Sequence, residues 1–116
     1  YVKFGEVYFS DVKPGIIKSW KRHKEMTLNL VVPNGQIRFV IYDDRPYSAT
    51  VEQFYEVVLS RRNYMRLTVP PGLWMAFQGL DDTSSMLLNI ADIRHDPDES
   101  ERKKVNEIGY NWEMTE

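Results

Sequence analysis

The sequence predicts an all-β fold, a sandwich or barrel of short strands, and three observations carry that reading. Apolar and polar residues alternate in short runs along most of the chain, the period of strands with one buried face. Turn chemistry separates the runs at Lys13-Pro14-Gly15, Pro33-Asn34-Gly35, Asp43-Asp44-Arg45-Pro46 and Pro70-Pro71-Gly72. Aromatic residues make up 13% of the chain, a share that suits a pleated, half-buried surface better than a helical bundle.

The elements follow in order. Glu6 to Val12 is the first run, and Ile16 to Lys21 the second. Thr27 to Val32 leads into Asn34-Gly35, and Gln36 to Tyr42 follows. An Asn-Gly step between two apolar runs predicts a β-hairpin, because both residues tolerate positive φ. In the fourth run Ile37, Phe39 and Ile41 share one face, while Arg38, Val40 and Tyr42 share the other. Phe54 to Leu59, Met65 to Val69, Trp74 to Phe77 and Met86 to Ala91 complete the set, the last two flanking a polar turn at Asp81-Asp82-Thr83-Ser84. Asp96-Pro97-Asp98-Glu99 then predicts a helix start, with Asp as N-cap and Pro at the first helical position. A short helical segment through Lys104, with a solvated charged face, is expected there, and Ile108 to Trp112 is expected to pack back on the body.

Composition bounds the function. At 116 residues the chain makes one domain, 1–116, with a core of its own. A formal charge of -2 leaves no electrostatic footprint for nucleic acid or an anionic membrane, and neither is an expected partner. No apolar run approaches a membrane span and no secretory signal pattern opens the chain, while zero cysteines fits the cytoplasm. The chain opens on Tyr1 rather than Met, so its start is not read as a natural terminus.

Pro14-Gly15 to Lys24, Leu59-Ser60 with Asn63, and Pro70-Pro71-Gly72-Leu73-Trp74-Met75-Ala76-Phe77 stand in the order and spacing of a known pattern. The chain resembles the dTDP-4-dehydrorhamnose 3,5-epimerase family of cupins, whose motifs read roughly P-G-V-x-R-G-L-H, L-S-x-x-N and I-P-P-G-F-A-H-G-F. The resemblance covers about Val7 to Trp112 and includes the Asp44-Arg45 pair, Pro97 and Trp112. It implies a cupin-type jelly-roll barrel, a homodimer paired through its sheets, and no metal or organic cofactor. In that family a His removes a proton α to the C4 ketone of a dTDP-linked hexose. An Asp orients the His, a Lys stabilises the enolate, and a Tyr acts as acid on the opposite face.

Laid onto this sequence, the motif puts Lys21 at the catalytic His, with His23 two residues later on the same side of the strand. Leu28 falls at the enolate-stabilising Lys, Asn89 at the acid, Met75 at the His of P-P-G-F-A-H, and Val105 near the orienting Asp. The resemblance thus implies a nucleotide-sugar ligand and diverged catalytic positions, with Lys21, His23 and Asn89 as catalytic candidates. Lys18 takes the place of the family's diphosphate Arg and Arg45 matches a family Arg. With Arg38 and Tyr42 they are the candidate substrate-binding residues.

Each candidate has a plainer reading. Lys21 serves as a base only if burial or neighbouring cations lower its pKa, and otherwise belongs to a solvated basic strand. His23 reads alternatively as a rim residue, and His95 as a surface residue. Trp20 and Trp74 read as core aromatics rather than nucleobase platforms. Two widely separated His make no metal site. Asn89 offers hydrogen bonds but no acidic proton. The expected function is action on, or binding of, a nucleotide-linked 4-keto-6-deoxy sugar in deoxysugar or cell-surface polysaccharide synthesis. The alternative is a noncatalytic cupin module for binding or assembly.

Overall fold

The computed structural model describes residues 4–94 and 96–112. Their nine strands are β1 (Glu6–Val12), β2 (Ile17–His23), β3 (Leu28–Asn34), β4 (Gln36–Tyr42), β5 (Phe54–Ser60), β6 (Leu67–Val69), β7 (Trp74–Gly79), β8 (Ser85–Ala91) and β9 (Ser100–Arg102). They form a four-stranded sheet, β1-β8-β3-β6, facing a five-stranded sheet, β5-β4-β7-β2-β9. Every strand pair is antiparallel. This is the cupin-type jelly roll that the family resemblance implied, within the sandwich or barrel class that alternation and turns predicted.

The alternation of each strand decides which sheet faces it serves. Ile37, Phe39 and Ile41 point into the space between the sheets and join Leu28, Leu30, Val32, Leu59, Val69 and Leu87 in the main core. The other face of β4 is also covered. Val40 there packs with Trp20, Trp74, Ala76 and Ile108, with Tyr42, Tyr110 and Trp112 against them. The chain end does pack back, as its apolar residues implied, and it seals the outer face of the five-stranded sheet. Trp20 and Trp74 are buried in this second cluster.

Three local expectations are corrected. Asn34-Gly35 closes no hairpin, because β3 and β4 lie in different sheets and the turn is a corner between them. Gly35 takes φ +93, which the turn signal did foresee, and the corner is tied by Gln36 N–H donating to Ser85 Oγ at 3.0 Å. The helix expected through Lys104 is one 3₁₀ turn, Pro97–Glu99, capped as predicted by Asp96 accepting from the Asp98 amide. The chain then extends into β9 because His23 and Ser100 pair across the edge of β2, so sheet hydrogen bonds displace the helix. The charged run is not a wholly solvated face either, since Glu99 is buried. His95 lies outside the described residues.

Candidate active site

Between the two sheets lies a cavity of about 540 Å³. The four-stranded sheet supplies Tyr8, Ser10, Leu28, Leu30, Leu87 and Asn89 to its wall, and the five-stranded sheet supplies Lys18, Lys21, His23, Met75 and Phe77. The floor is apolar, and Leu28 and Met75, which the resemblance matched to a Lys and a His, both line it. Arg102, Lys103, Lys104 and Glu107 close one side, with the Lys103 ammonium turned to the Trp74 ring 4.9 Å away in the outer cluster. Cations outnumber acids at this rim, which suits an anionic ligand.

Strand β2 delivers three of the predicted residues through an irregularity. Its register against β7 shifts between Lys18 and Lys21. A bulge adds a residue, so Lys18 and Lys21 both reach the cavity although three positions apart. Ordinary alternation then brings His23 to the same wall.

The His23 Nδ1 lies 2.6 Å from Glu99 Oε1, with side-chain exposures of 12% and 6%. Glu99 Oε2 accepts from the amides of Glu25 and Met26, both at 2.8 Å. Burial by itself would raise the Glu99 carboxyl. The His23 hydrogen bond and these two amides outweigh it, so the carboxyl titrates below its usual range. An ionised Glu99 accepts the Nδ1 proton and fixes the tautomer with Nε2 as the free acceptor. Among the described residues His23 Nε2 has no hydrogen-bond partner.

Lys21 stands directly across from Arg102 in the β2–β9 ladder. Burial, and secondly the Arg102 guanidinium, lower the Lys21 pKa, while Glu99 opposes them. Opposed like charges weaken a sheet, so this pairing has a stability cost. On the facing wall Asn89 is buried and donates from Nδ2 to the Tyr8 hydroxyl at 2.9 Å, while its Oδ1 has no partner.

Lys18, Lys21, His23 and Asn89 therefore meet in one cavity. Arg38, Tyr42 and Arg45 stand outside it. Arg38 donates to Gln78 Oε1 at 2.7 Å and to the Trp112 carbonyl at 2.8 Å, beneath the rings of Tyr110 and Trp112. Tyr42 stacks on Phe54, with ring centroids 4.7 Å apart. Arg45 folds back on Asp43 through two 2.9 Å bonds.

The sequence reading missed Glu99, Tyr8 and Arg102. Glu99 resembled an N-terminal helix acid, and nothing local distinguishes a buried one. Tyr8 was accessible to reasoning, since it shares a strand face with the inward-pointing Val12. Val105, near the matched position for an orienting acid, instead accepts from Trp20 Nε1 with its carbonyl at 3.2 Å. Among the described residues no group of three or more His, Cys, Asp or Glu could hold a metal.

Comparison with known proteins places this geometry. The family model described as dTDP-4-dehydrorhamnose 3,5-epimerase matches residues 10–116. A dTDP sugar isomerase from Desulfovibrio desulfuricans superposes with a TM-score of 0.93 at 41% identity, covering 97% of this chain and 73% of that one. A dTDP-4-dehydrorhamnose 3,5-epimerase from Bacillus anthracis, solved with TDP and PPi bound, gives 0.85 at 26% identity, covering 98% and 68%. A probable low-salt glycan biosynthesis epimerase of Haloferax volcanii is 29% identical over 99 residues, 84% of this chain. The chain spans 64% of that relative's length. With the family model matched along nearly its whole length, the chain belongs to the dTDP-4-dehydrorhamnose 3,5-epimerase family.

Proposed function

We propose that this chain catalyses proton transfer α to the ketone of a nucleotide-linked 4-keto-6-deoxy sugar, as an epimerase or ketoisomerase in cytoplasmic glycan biosynthesis. The observation that carries this reading is the His23–Glu99 pair, held at 2.6 Å on the wall of a cation-lined cavity. A base oriented by a buried carboxylate is what α-proton removal needs. Nε2 of His23 takes the proton, and the electron pair moves to the ketone oxygen. Lys21 faces the developing oxyanion as a cation in place of the family's Lys. Its costly opposition to Arg102 fits a residue retained for chemistry rather than for the sheet. Lys18, with Lys104, meets the diphosphate.

Proton NMR of dTDP-4-keto-6-deoxyglucose with the protein in deuterated buffer tests this. Loss of the C3 or C5 proton signal faster than in a protein-free control is expected, and His23→Asn is expected to abolish it. No exchange, with broadened nucleotide lines, would leave a binding module instead.

A second copy of the chain is the proposed partner. Val7 and Phe9 are exposed on the outward face of the edge strand β1, an apolar surface that a second copy would cover. Sedimentation velocity is expected to give a dimer, and Phe9→Glu a monomer.

A further inference from the structure

Resting on the epimerase reading, we propose that Tyr8 is the acid that protonates the sugar carbon on the face opposite His23, and that Asn89 is its positioning residue.

The two side chains reach the cavity from opposite walls, Tyr8 from β1 in the four-stranded sheet and His23 from β2 in the five-stranded sheet. Tyr8 and Asn89 are direct cross-strand partners, and the Asn89 amide donates to the phenolic oxygen at 2.9 Å. Because that oxygen accepts, the phenol keeps its own proton, and among the described residues nothing else bonds to it. Asn89 is 2% exposed and its Oδ1 is a buried acceptor without a partner, which a sugar hydroxyl would satisfy. The remaining side chains on this wall give no better donor. Leu28, Leu30 and Leu87 carry no acidic proton, and Ser10 offers an aliphatic alcohol, a far weaker acid than a phenol.

The step balances. His23 Nε2 takes the proton from the carbon α to the ketone, the C–H pair forms the C=C bond of the enolate, and the carbonyl pair moves onto oxygen. The enolate then re-forms the C=O bond while its carbon takes the Tyr8 hydroxyl proton on the opposite face. A phenolate stabilised by the Asn89 N–H and an imidazolium remain. The imidazolium proton passes to the phenolate through solvent, and the configuration at carbon has inverted.

Tyr8→Phe separates this role from base catalysis, with dTDP-4-keto-6-deoxyglucose as the probe in deuterated buffer. Tyr8 is 44% exposed on an edge strand, so the variant keeps the fold, and an unchanged thermal transition verifies it. The expected result is that exchange at C3 or C5 continues with retention, the deuteron returning from His23, while inverted product falls about 100-fold or more. Inversion within about twofold of wild type overturns the proposal. So does loss of exchange together with inversion in a folded variant, because a face-specific acid is not needed to remove the first proton. If the wild-type protein shows no exchange, the epimerase reading itself fails and takes this inference with it.

Discussion

Nδ1 of His23 and Oε1 of Glu99 lie 2.6 Å apart across 76 residues of chain. The contact depends on the 3₁₀ turn Pro97–Glu99, which sets Glu99 immediately before the β9 residue that pairs with His23. The Glu99 backbone is tied as well, its carbonyl accepting from Lys24 N–H at 2.9 Å. A carboxylate fixed at both ends holds the imidazole in one orientation without spending catalytic motion on it.

Glu99→Gln keeps the size of that side chain and removes its charge. The imidazole then loses its fixed tautomer, and deuterium exchange on the sugar is expected to slow by about 100-fold or more. Nucleotide affinity stays near the wild-type value, because Glu99 does not face the diphosphate. A variant that binds dTDP more weakly while exchanging normally would contradict the assignment. Isothermal titration beside the NMR assay reads both quantities.

Acid should destabilise the fold through two buried carboxylates. The Asp43 carboxyl is held far below its usual range, first by Arg45 and against burial, with Ser48 and Thr50 adding further bonds. Glu99 is also lowered. A carboxyl whose folded pKa is depressed contributes stability above its unfolded value, about 4, and the contribution is lost as pH falls through the folded value. Thermal midpoints are therefore expected to be flat above about pH 5 and to fall steadily below about pH 4. Asp43→Asn should lower the midpoint at neutral pH and shallow the acid slope. An unchanged slope would show that the Asp43 bonds contribute nothing to the linkage.

Much of the fold was legible because strand alternation and turn residues report local geometry. Gln36–Tyr42 shows both of its faces in sequence, and both are buried as its pattern requires. Partner choice was less legible. Asn34-Gly35 encodes a sharp turn but not which strand lies beyond it, so a corner between sheets has the same local signature as a hairpin. The site divides similarly. Lys21 and His23 follow from one strand's alternation, whereas Glu99 depends on a long-range pairing between β2 and β9 that no local pattern encodes. Arg38 and Tyr42 share the face of Val40, away from the cavity, and that division was already present in the alternation of β4.

Lys21 predicts a pH limit on activity. Its ammonium is pulled below the ordinary lysine value by burial and by Arg102, against the pull of Glu99. The lysine is charged below its folded pKa, so an oxyanion-stabilising role weakens as pH rises through that lowered value. The basic limb of kcat should appear below the ordinary lysine range, about 10.4. Lys21→Arg keeps the charge at all accessible pH and should remove the limb, while Lys21→Met should reduce kcat by about 10²-fold or more at every pH. A base role for Lys21 gives the opposite trend, with activity rising as pH passes the same value.

Gly35→Ala tests the corner that joins the sheets. Gly35 has φ +93, a region that L side chains rarely adopt, and a Cβ there would collide with the Ser85 side chain. Ser85 cannot yield freely, since its hydroxyl accepts from Gln36 N–H at 3.0 Å and donates to Gln36 O at 3.2 Å. The backbone strain costs about 1–2 kcal/mol and the two disturbed hydrogen bonds about 1 kcal/mol each. Gly35→Ala should therefore destabilise by about 3–4 kcal/mol, or roughly 15 °C in Tm. Pairing it with Ser85→Gly removes the two closest contacts, to Oγ and Cβ, but leaves the residue 85 Cα at 2.7 Å and keeps the φ penalty. In a double-mutant cycle Ser85→Gly should then cost less in the Gly35→Ala variant than in the wild type. Additive costs would show that φ strain and the residue 85 backbone, and not the Ser85 side chain, require glycine at this corner.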